Sequence, residues 1–300
     1  MRPFRFGVNC TTTSAQEWLE AARRAEALGF DVLIAQDHFG AQLAPLPALA
    51  AAAVVSSRLR LATLVLDNDF RHPALVAKEA ATIDVLSGGR MELGLGAGWL
   101  ESDYTRTGIS FDRAGVRLER LAESVHICKR LFESDEPVTF QGTYYRVDGL
   151  EPLPRPVQSP RLPLMVGGRL KRALQLAGRE ADIVSISLLD RRAPDSAPPP
   201  SFAQKVAWVK EAAGARFSQM LLHVNAAVVH VGSEATDAVA VFAARTGQAV
   251  EAARESPGVL VGAEQAIIEK LHRTREEFGV SYWVVQARHM DAFSRVIARL

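Results

Sequence analysis

Short apolar runs alternate with stretches of helical period along nearly all of this 300-residue chain, and that alternation limits its fold more than any other feature. RFGVN (5–9) opens as a strand. Ser14 then starts a helix with Glu17 as its capping-box partner; Trp18, Ala22 and Ala25 keep the helical period, and Gly29 stops it. DVLIAQ (31–36) has the continuous apolar character of a buried strand. A helix follows Pro45, and LRLATLVL (59–66) is the third strand. Pro73 opens the next helix, which buries Val76, Ala80 and Ile83, with His72 as its N-cap or a loop residue. RMELGLG (90–96) is the fourth strand. Asp112 is expected to cap a long helix with the stripe Leu118, Leu121, Val125, Cys128 and Phe132. PVTFQGTYYRVDG (137–149) breaks the pattern as a hairpin turning at Gln141-Gly142. LPLMVGG (162–168) is a strand leading into a helix from about Arg169, and ADIVSIS (181–187) is the sixth strand. DRRAPDSAPPP (190–200) is Pro-rich and polar and reads as a mobile loop. QMLLHVNAAVVHV (219–231) reads as one long seventh strand. Two helical stretches follow, the second carrying Ile267, Ile268, Leu271 and Phe278. VSYWVVQ (280–286) is the eighth strand, before a closing helix.

Strands separated by helices imply a parallel sheet covered by helices. A closed (β/α)8 barrel and an open doubly wound sheet both satisfy this, and the strand count and length favour the barrel, which usually takes about 250 residues plus insertions. The insertions would be 137–161 and 188–201. No internal repeat or linker separates two cores, so residues 1–300 are expected to form a single α/β domain, a TIM barrel with insertions.

The fourth strand ends in Gly94, Gly96 and Gly98. A dinucleotide-binding fingerprint is GxGxxG on the first strand of its unit, running directly into a helix. Here the pattern is GxGxG on the fourth strand, followed by the polar, irregular stretch WLESDYTRTGISFDR, with the next good helix cap only at Asp112. The Rossmann reading fails on that context. Two readings remain: in a barrel the C-terminal strand ends carry the active site, and glycines there leave room for a flat ligand against the backbone, or the three glycines simply pack tightly.

Charge and cysteine content remove other classes. The 35 Lys plus Arg and 34 Asp plus Glu nearly balance, against a nucleic-acid binder and with nothing to suggest a membrane-surface partner. Cys10 and Cys128 form no disulfide framework, CxxC pair or zinc ligand set and are expected to be free thiols in a reducing cytoplasm. MRPFRFGVN runs straight into strand-like sequence without a signal-peptide apolar region, and LAPLPALAAAAVV (43–55) is too short to span a bilayer. The seven histidines are scattered, and HExxH, a P-loop and a GxSxG elbow are all missing, so no metal is expected.

SGGRMELGLGAGW (87–99) followed by FDRAGVRLERLAE (111–123) resembles the luciferase-like monooxygenase superfamily. EALGFDVLIAQDHF (26–39), RHPALVAKEAATIDVLSGGR (71–90), PLMVGG (163–168) and GAEQAIIEKL (262–271) resemble its further parts, in the same order. The resemblance implies a bacterial luciferase-like barrel and a flavin- or deazaflavin-dependent oxidoreductase. Within the superfamily the sequence most resembles the branch using coenzyme F420, with FMN as the alternative.

The resemblance implies roles residue by residue. His38, following the second strand, would exchange a proton near a ring that gains or loses hydride, with Asp37 beside it at the cofactor, orienting a neighbour or capping the loop. Leu64 and Val65 fall where the family often places a non-proline cis peptide behind the cofactor ring. Gly96, Ala97, Gly98 and Trp99 would line the ring's side. Trp99 stands where some deazaflavin-using relatives carry an acidic proton donor, and Glu101 or Asp103 is either its substitute or a solvated loop carboxylate. Val166, Gly167, Gly168 and Arg169 would receive the cofactor phosphate at the following helix N-terminus, with Lys171 and Arg172 adding charge. The expected activity is hydride transfer to or from a small organic substrate by a cytoplasmic homodimer. The alternatives are an FMN-dependent monooxygenase fed by a partner flavin reductase and a non-catalytic flavin-binding protein.

Overall fold

A computed structural model gives the structure of residues 2–188, 199–232 and 234–300. In chain order the elements are β1 (Arg5–Asn9), α1 (Ala15–Ala27), β2 (Val32–Ala35), α2 (Pro45–Val55), β3 (Arg60–Thr63), β4 (Leu66–Asp67), α3 (Pro73–Ser87), β5 (Met91–Gly96), α4 (Glu101–Thr107), α5 (Ala114–Glu133), β6 (Val138–Gln141), β7 (Arg146–Leu150), β8 (Leu164–Gly168), α6 (Lys171–Glu180) and β9 (Ile183–Ile186). Then come α7 (Phe202–Ala213), β10 (Leu221–Asn225), β11 (Val228–Val231), α8 (Thr236–Thr246), α9 (Val250–Glu255), β12 (Val259–Gly262), α10 (Glu264–Phe278), β13 (Val280–Gln286) and α11 (Met290–Ile297). The principal sheet has the order β3-β2-β1-β13-β10-β9-β8-β5-β4, with β3 also paired to β5.

The chain divides into two compact units. The first holds Met1–Asn9, Arg24–Val32 and Gly168–Leu300; the second holds Cys10–Arg23 and Leu33–Gly167. In the first, β13 pairs in parallel with β1 and β10, and β10 with β9. Phe6 packs on Phe293 of α11 at 5.4 Å between ring centroids, which sets the helix-facing side of β1. In the second, β5 pairs in parallel with β3, β4 and β8, aligning Leu61 with Met91, Leu66 with Leu95 and Leu93 with Leu164. Arg90, just before β5, ties this sheet to α2: its guanidinium donates to the carbonyls of Ala53, Ser56 and Leu59, and the hydroxyl of the C-cap residue Ser56 donates to Ala52, so the last carbonyls of an all-apolar helix are satisfied.

Several sequence expectations are corrected. The third strand divides into β3 and β4 around a cis peptide between Leu64 and Val65. Ser14 caps α1 by accepting from the Glu17 N–H, but Glu17 receives the Thr12 hydroxyl rather than closing a capping box. WLESDYTRTG is not irregular: it contains α4, stopped by Gly108 at φ 75°. Asp112 does not cap α5; its carboxylate pairs with Arg120, nearly two turns into the helix, and Arg113 is the cap residue. The hairpin turns over 142–145, with the Gly142 N–H bonded to the Tyr145 carbonyl. Residues 219–231 are two strands in different sheets. After β10 the chain leaves the principal sheet, the Ala227 and Val228 N–H groups bond Gly258, and β11 pairs in parallel with β12. That small sheet covers a satellite core of Val239, Phe242, Ala243 and Ala253. Of the proline-rich stretch 190–200, residues 190–198 lie outside the described residues.

Candidate active site

The second unit brings His38, Leu64, Val65, the glycine run and Trp99 together around the exits of β2, β4 and β5. The cis peptide turns Val65 towards β5 and β8. A Cβ on Gly94 would strike the Thr63 carbonyl oxygen, one on Gly96 would meet Val65 Cγ2 at 2.5 Å, and one on Gly167 would meet Val65 Cγ1 at 3.3 Å. A Cβ on Gly98, itself at φ 72°, would strike the Tyr104 hydroxyl and an Asp67 carboxylate oxygen. The room these glycines free is therefore filled by protein, not left for a ligand. Of the two sequence readings of Gly94, Gly96 and Gly98, tight packing is what the geometry gives: three residues without side chains form a socket for one strand-end valine and one tyrosine hydroxyl.

The Gly96–Trp99 turn is held from below. Arg117, buried on α5, donates from Nε to the Ala97 carbonyl at 3.0 Å and reaches the Gly98 carbonyl, while its guanidinium lies 3.9 Å from the Phe111 ring. Tyr104 donates its hydroxyl to Asp67 at 2.8 Å and lies 3.2 Å from Asp69. One phenolic proton cannot serve both carboxylates at once. Burial pushes the Asp67 carboxyl up to about 6, opposed by the Asp69 N–H and the Tyr104 hydroxyl and reinforced by Asp69 and Asp37. Burial also raises Asp69, against the pull of Arg120.

Asp37 and His38 leave β2 in different directions. Asp37 receives Arg71 at 2.6 and 3.1 Å and the Asp67 N–H at 3.0 Å, so both its oxygens are engaged in fixing the end of β4. His38 Nδ1 lies 2.7 Å from Asp103 Oδ2. Asp103 is buried on α4, not a solvated loop carboxylate. A carboxylate only accepts, so in this contact the hydrogen bond runs from Nδ1 to Asp103 and Nε2 is the ring nitrogen that Asp103 does not engage. The His38 side chain is 28 % exposed, and Trp99, 54 % exposed, stands edge-on to it at 5.5 Å.

Val166 ends buried in β8, beside Leu95 of β5. Gly168 and Arg169 belong to the first unit. A Cβ on Gly168 would press on Ala173 and Leu174, so this glycine lets β8 approach α6, which starts at Lys171 without a side-chain cap. The sequence assigns no role to Tyr104, Asp67, Asp69, Arg117 or Arg120, and offers Asp103 only as a substitute proton donor or a solvated loop carboxylate. The stop signal of Gly108 seven residues after Glu101 was the available hint that WLESDYTRTG forms a helix, which would have placed Asp103 and Tyr104 on a rigid element.

Comparison with known proteins agrees with this architecture. The family model described as luciferase-like monooxygenase matches residues 2–293. The chain is 34 % identical over 190 residues to the F420-dependent glucose-6-phosphate dehydrogenase of Microbacterium testaceum, covering 60 % of this chain and 55 % of that protein. It is 35 % identical over 166 residues to the 4-hydroxyprotoasukamycin monooxygenase of Streptomyces nodosus subsp. asukaensis, covering 54 % of this chain and 44 % of that protein. The matches thus span about half the length of these curated relatives. Among solved structures, an F420-dependent secondary alcohol dehydrogenase superposes with a TM-score of 0.78 at 22 % identity over 99 % of both chains. The F420-dependent tetrahydromethanopterin reductase of Methanopyrus kandleri gives 0.79 at 19 % identity, also over 99 % of both chains. These likenesses show the fold, the closed eight-stranded parallel α/β barrel expected from the sequence. The chain belongs to the luciferase-like monooxygenase family of flavin- or F420-dependent oxidoreductases.

Proposed function

We propose that this chain is an oxidoreductase that uses coenzyme F420 to move hydride to or from a small organic substrate, with His38 as the proton partner. The observation that carries the reading is the His38–Asp103 pair. A buried carboxylate 2.7 Å from Nδ1 fixes one tautomer and presents Nε2 as a proton acceptor on a partly exposed ring. The residues present fit a flat redox ring: Val65 gives a half-buried apolar rest locked in its glycine socket, and Trp99 gives an aromatic wall beside the imidazole. When bound, the deazaflavin supplies the carbon that accepts or gives the hydride. In oxidation of an alcohol, His38 Nε2 takes the hydroxyl proton while Asp103 keeps the ring oriented; in reduction the protonated ring returns it. The acid absent at position 99 is then not needed, because the proton is handled by His38, anchored from α4. Within the first unit, Gly168, Arg169 and the first-turn N–H groups of α6 offer an anion site of the kind a coenzyme phosphate would take. The similar F420-dependent dehydrogenases support the coenzyme choice.

The second reading is an FMN-dependent monooxygenase, favoured by the similar 4-hydroxyprotoasukamycin monooxygenase. A parallel fluorescence titration of the protein with coenzyme F420 and with FMN separates the two. Saturable binding of F420 in preference to FMN is expected, retained within about threefold in His38→Ala because the imidazole acts on the proton rather than on affinity. Preference for FMN, with substrate-dependent oxygen uptake, would replace the proposal by the second reading. Binding of neither would end both.

A further inference from the structure

Three neighbouring strands of the first unit, β1, β13 and β10, end in carboxamides: Asn9, Gln286 and Asn225. Asn9 is in register with Gln286, and Asn225 with Val284 two residues below it. All three lie on one face. Phe6 packs on α11, so by alternation Arg5, Gly7 and Asn9 face the other way. A Cβ on Gly7 would meet Val284 Cγ2 and Tyr282 Cε2, which puts 282, 284 and 286 on that same side. His223 lies edge-on to Tyr282 at 4.8 Å, which adds 223 and 225.

Asn9 is 1 % exposed, and neither Oδ1 nor Nδ2 has a hydrogen-bond partner among the described residues. Gln286 is half-buried and its side chain does not cap the turn that follows; Asn225 is exposed. A buried carboxamide with both polar atoms unmatched lowers stability, so its position at a strand exit calls for a reason other than folding. The C-terminal ends of parallel strands are where α/β folds bind their ligands. A carboxamide offers two donors and an acceptor with no charge.

We propose that Asn9, with Gln286 and Asn225 beside it, forms a binding subsite for an uncharged small molecule bearing hydroxyl or carbonyl groups. The Asn9 amide donates to the molecule's oxygen and its carbonyl accepts a hydroxyl proton, satisfying both orphaned atoms. None of the three groups can neutralise a phosphate or carboxylate, so an anionic counterpart gains nothing at these positions. The subsite goes beyond the hydride-transfer reading and is tested with no coenzyme present, so either can fail alone.

The test is ligand-observed saturation-transfer NMR on the full chain, with cyclohexanol and D-glucose as neutral probes and glucose 6-phosphate as the anionic one. Each is titrated against wild type, Asn9→Leu and Gln286→Ala, with Tm measured alongside. Saturable binding of at least one neutral probe is expected, weakened about tenfold or more in Asn9→Leu, as loss of a matched polar pair requires. The Tm of Asn9→Leu is expected to equal or exceed that of wild type. Should Asn9→Leu not fold, the expected weakening in Gln286→Ala decides. No binding of either neutral probe, binding unchanged in both variants, or glucose 6-phosphate bound more tightly than D-glucose with that advantage lost in Asn9→Leu would overturn the proposal. So would a lowered Tm in Asn9→Leu with binding intact, which would make Asn9 a structural residue.

Discussion

At the scale of single residues, Asp67 is where the folded chain most changes a group's chemistry. Its carboxyl is raised from 3.8 to about 6, mainly by burial. The folded state therefore holds this proton more tightly than the unfolded chain, so stability falls as pH rises from about 4 to 6 and stays lowered above. Asp67→Asn keeps an acceptor for Tyr104 and for the Asp69 N–H while removing the charge. Its Tm is expected to match wild type near pH 4 and to exceed it by a few degrees at pH 8, in thermal melts across that range. Parallel curves would mean that Asp67 ionises without cost. The same scale shows why Gly98 could not be read from sequence. Its requirement comes from Tyr104, six residues on, and from Asp67, a strand away.

At the scale of elements, the segment after the hairpin depends on one buried side chain. Asp84, on α3, accepts from the Met91 N–H at 3.1 Å, the Val157 N–H at 2.8 Å, and the Gln158 N–H and amide at 3.2 and 2.6 Å. Asp84→Ala strands three backbone donors at once. A loss of about 3 kcal/mol is expected in urea unfolding, from roughly 1 kcal/mol per orphaned donor. A loss below about 1 kcal/mol would show that this segment holds its place by packing. The helices and strands around Asp84 were legible because each carries its own local signals: Pro73 at the first turn of α3, Gly88 at φ 67° at its end, and the apolar run of β5. The pairing of Asp84 with residues 157 and 158 had no local signal, because the sequence separation is over 70 residues.

At the scale of the whole molecule, its acid response is expected to depend on a buried histidine of the first unit that takes no part in the proposed proton transfer. His223 is fully buried, with Nδ1 2.9 Å from the Ser185 hydroxyl, and burial pushes its pKa down to about 3. The unfolded chain takes up a proton here between about pH 6.5 and 3 while the folded state does not, so stability is lost as pH falls through that window. His223→Gln, which can still meet Ser185, is expected to be less stable than wild type at pH 7 but to lose less on going to pH 4.5, measured by urea unfolding at both values. Equal losses would assign the acid response to other groups.

The amino-acid sequence by itself determined the alternation, and with it the order of the principal strands and the family motifs, because strand and helix periods, proline starts and glycine stops act over a few residues. The cis peptide was legible only through the family resemblance that pointed to Leu64 and Val65. Tertiary structure decided which groups meet. It split 219–231 between two sheets, because Gly258 and β12 offer partners after Asn225. It turned the glycine run from an open ledge into a socket for Val65 and Tyr104. It also made Asp103 the partner of His38, 65 residues away. Such contacts depend on where distant segments are packed, and no local pattern of residue types carries that information.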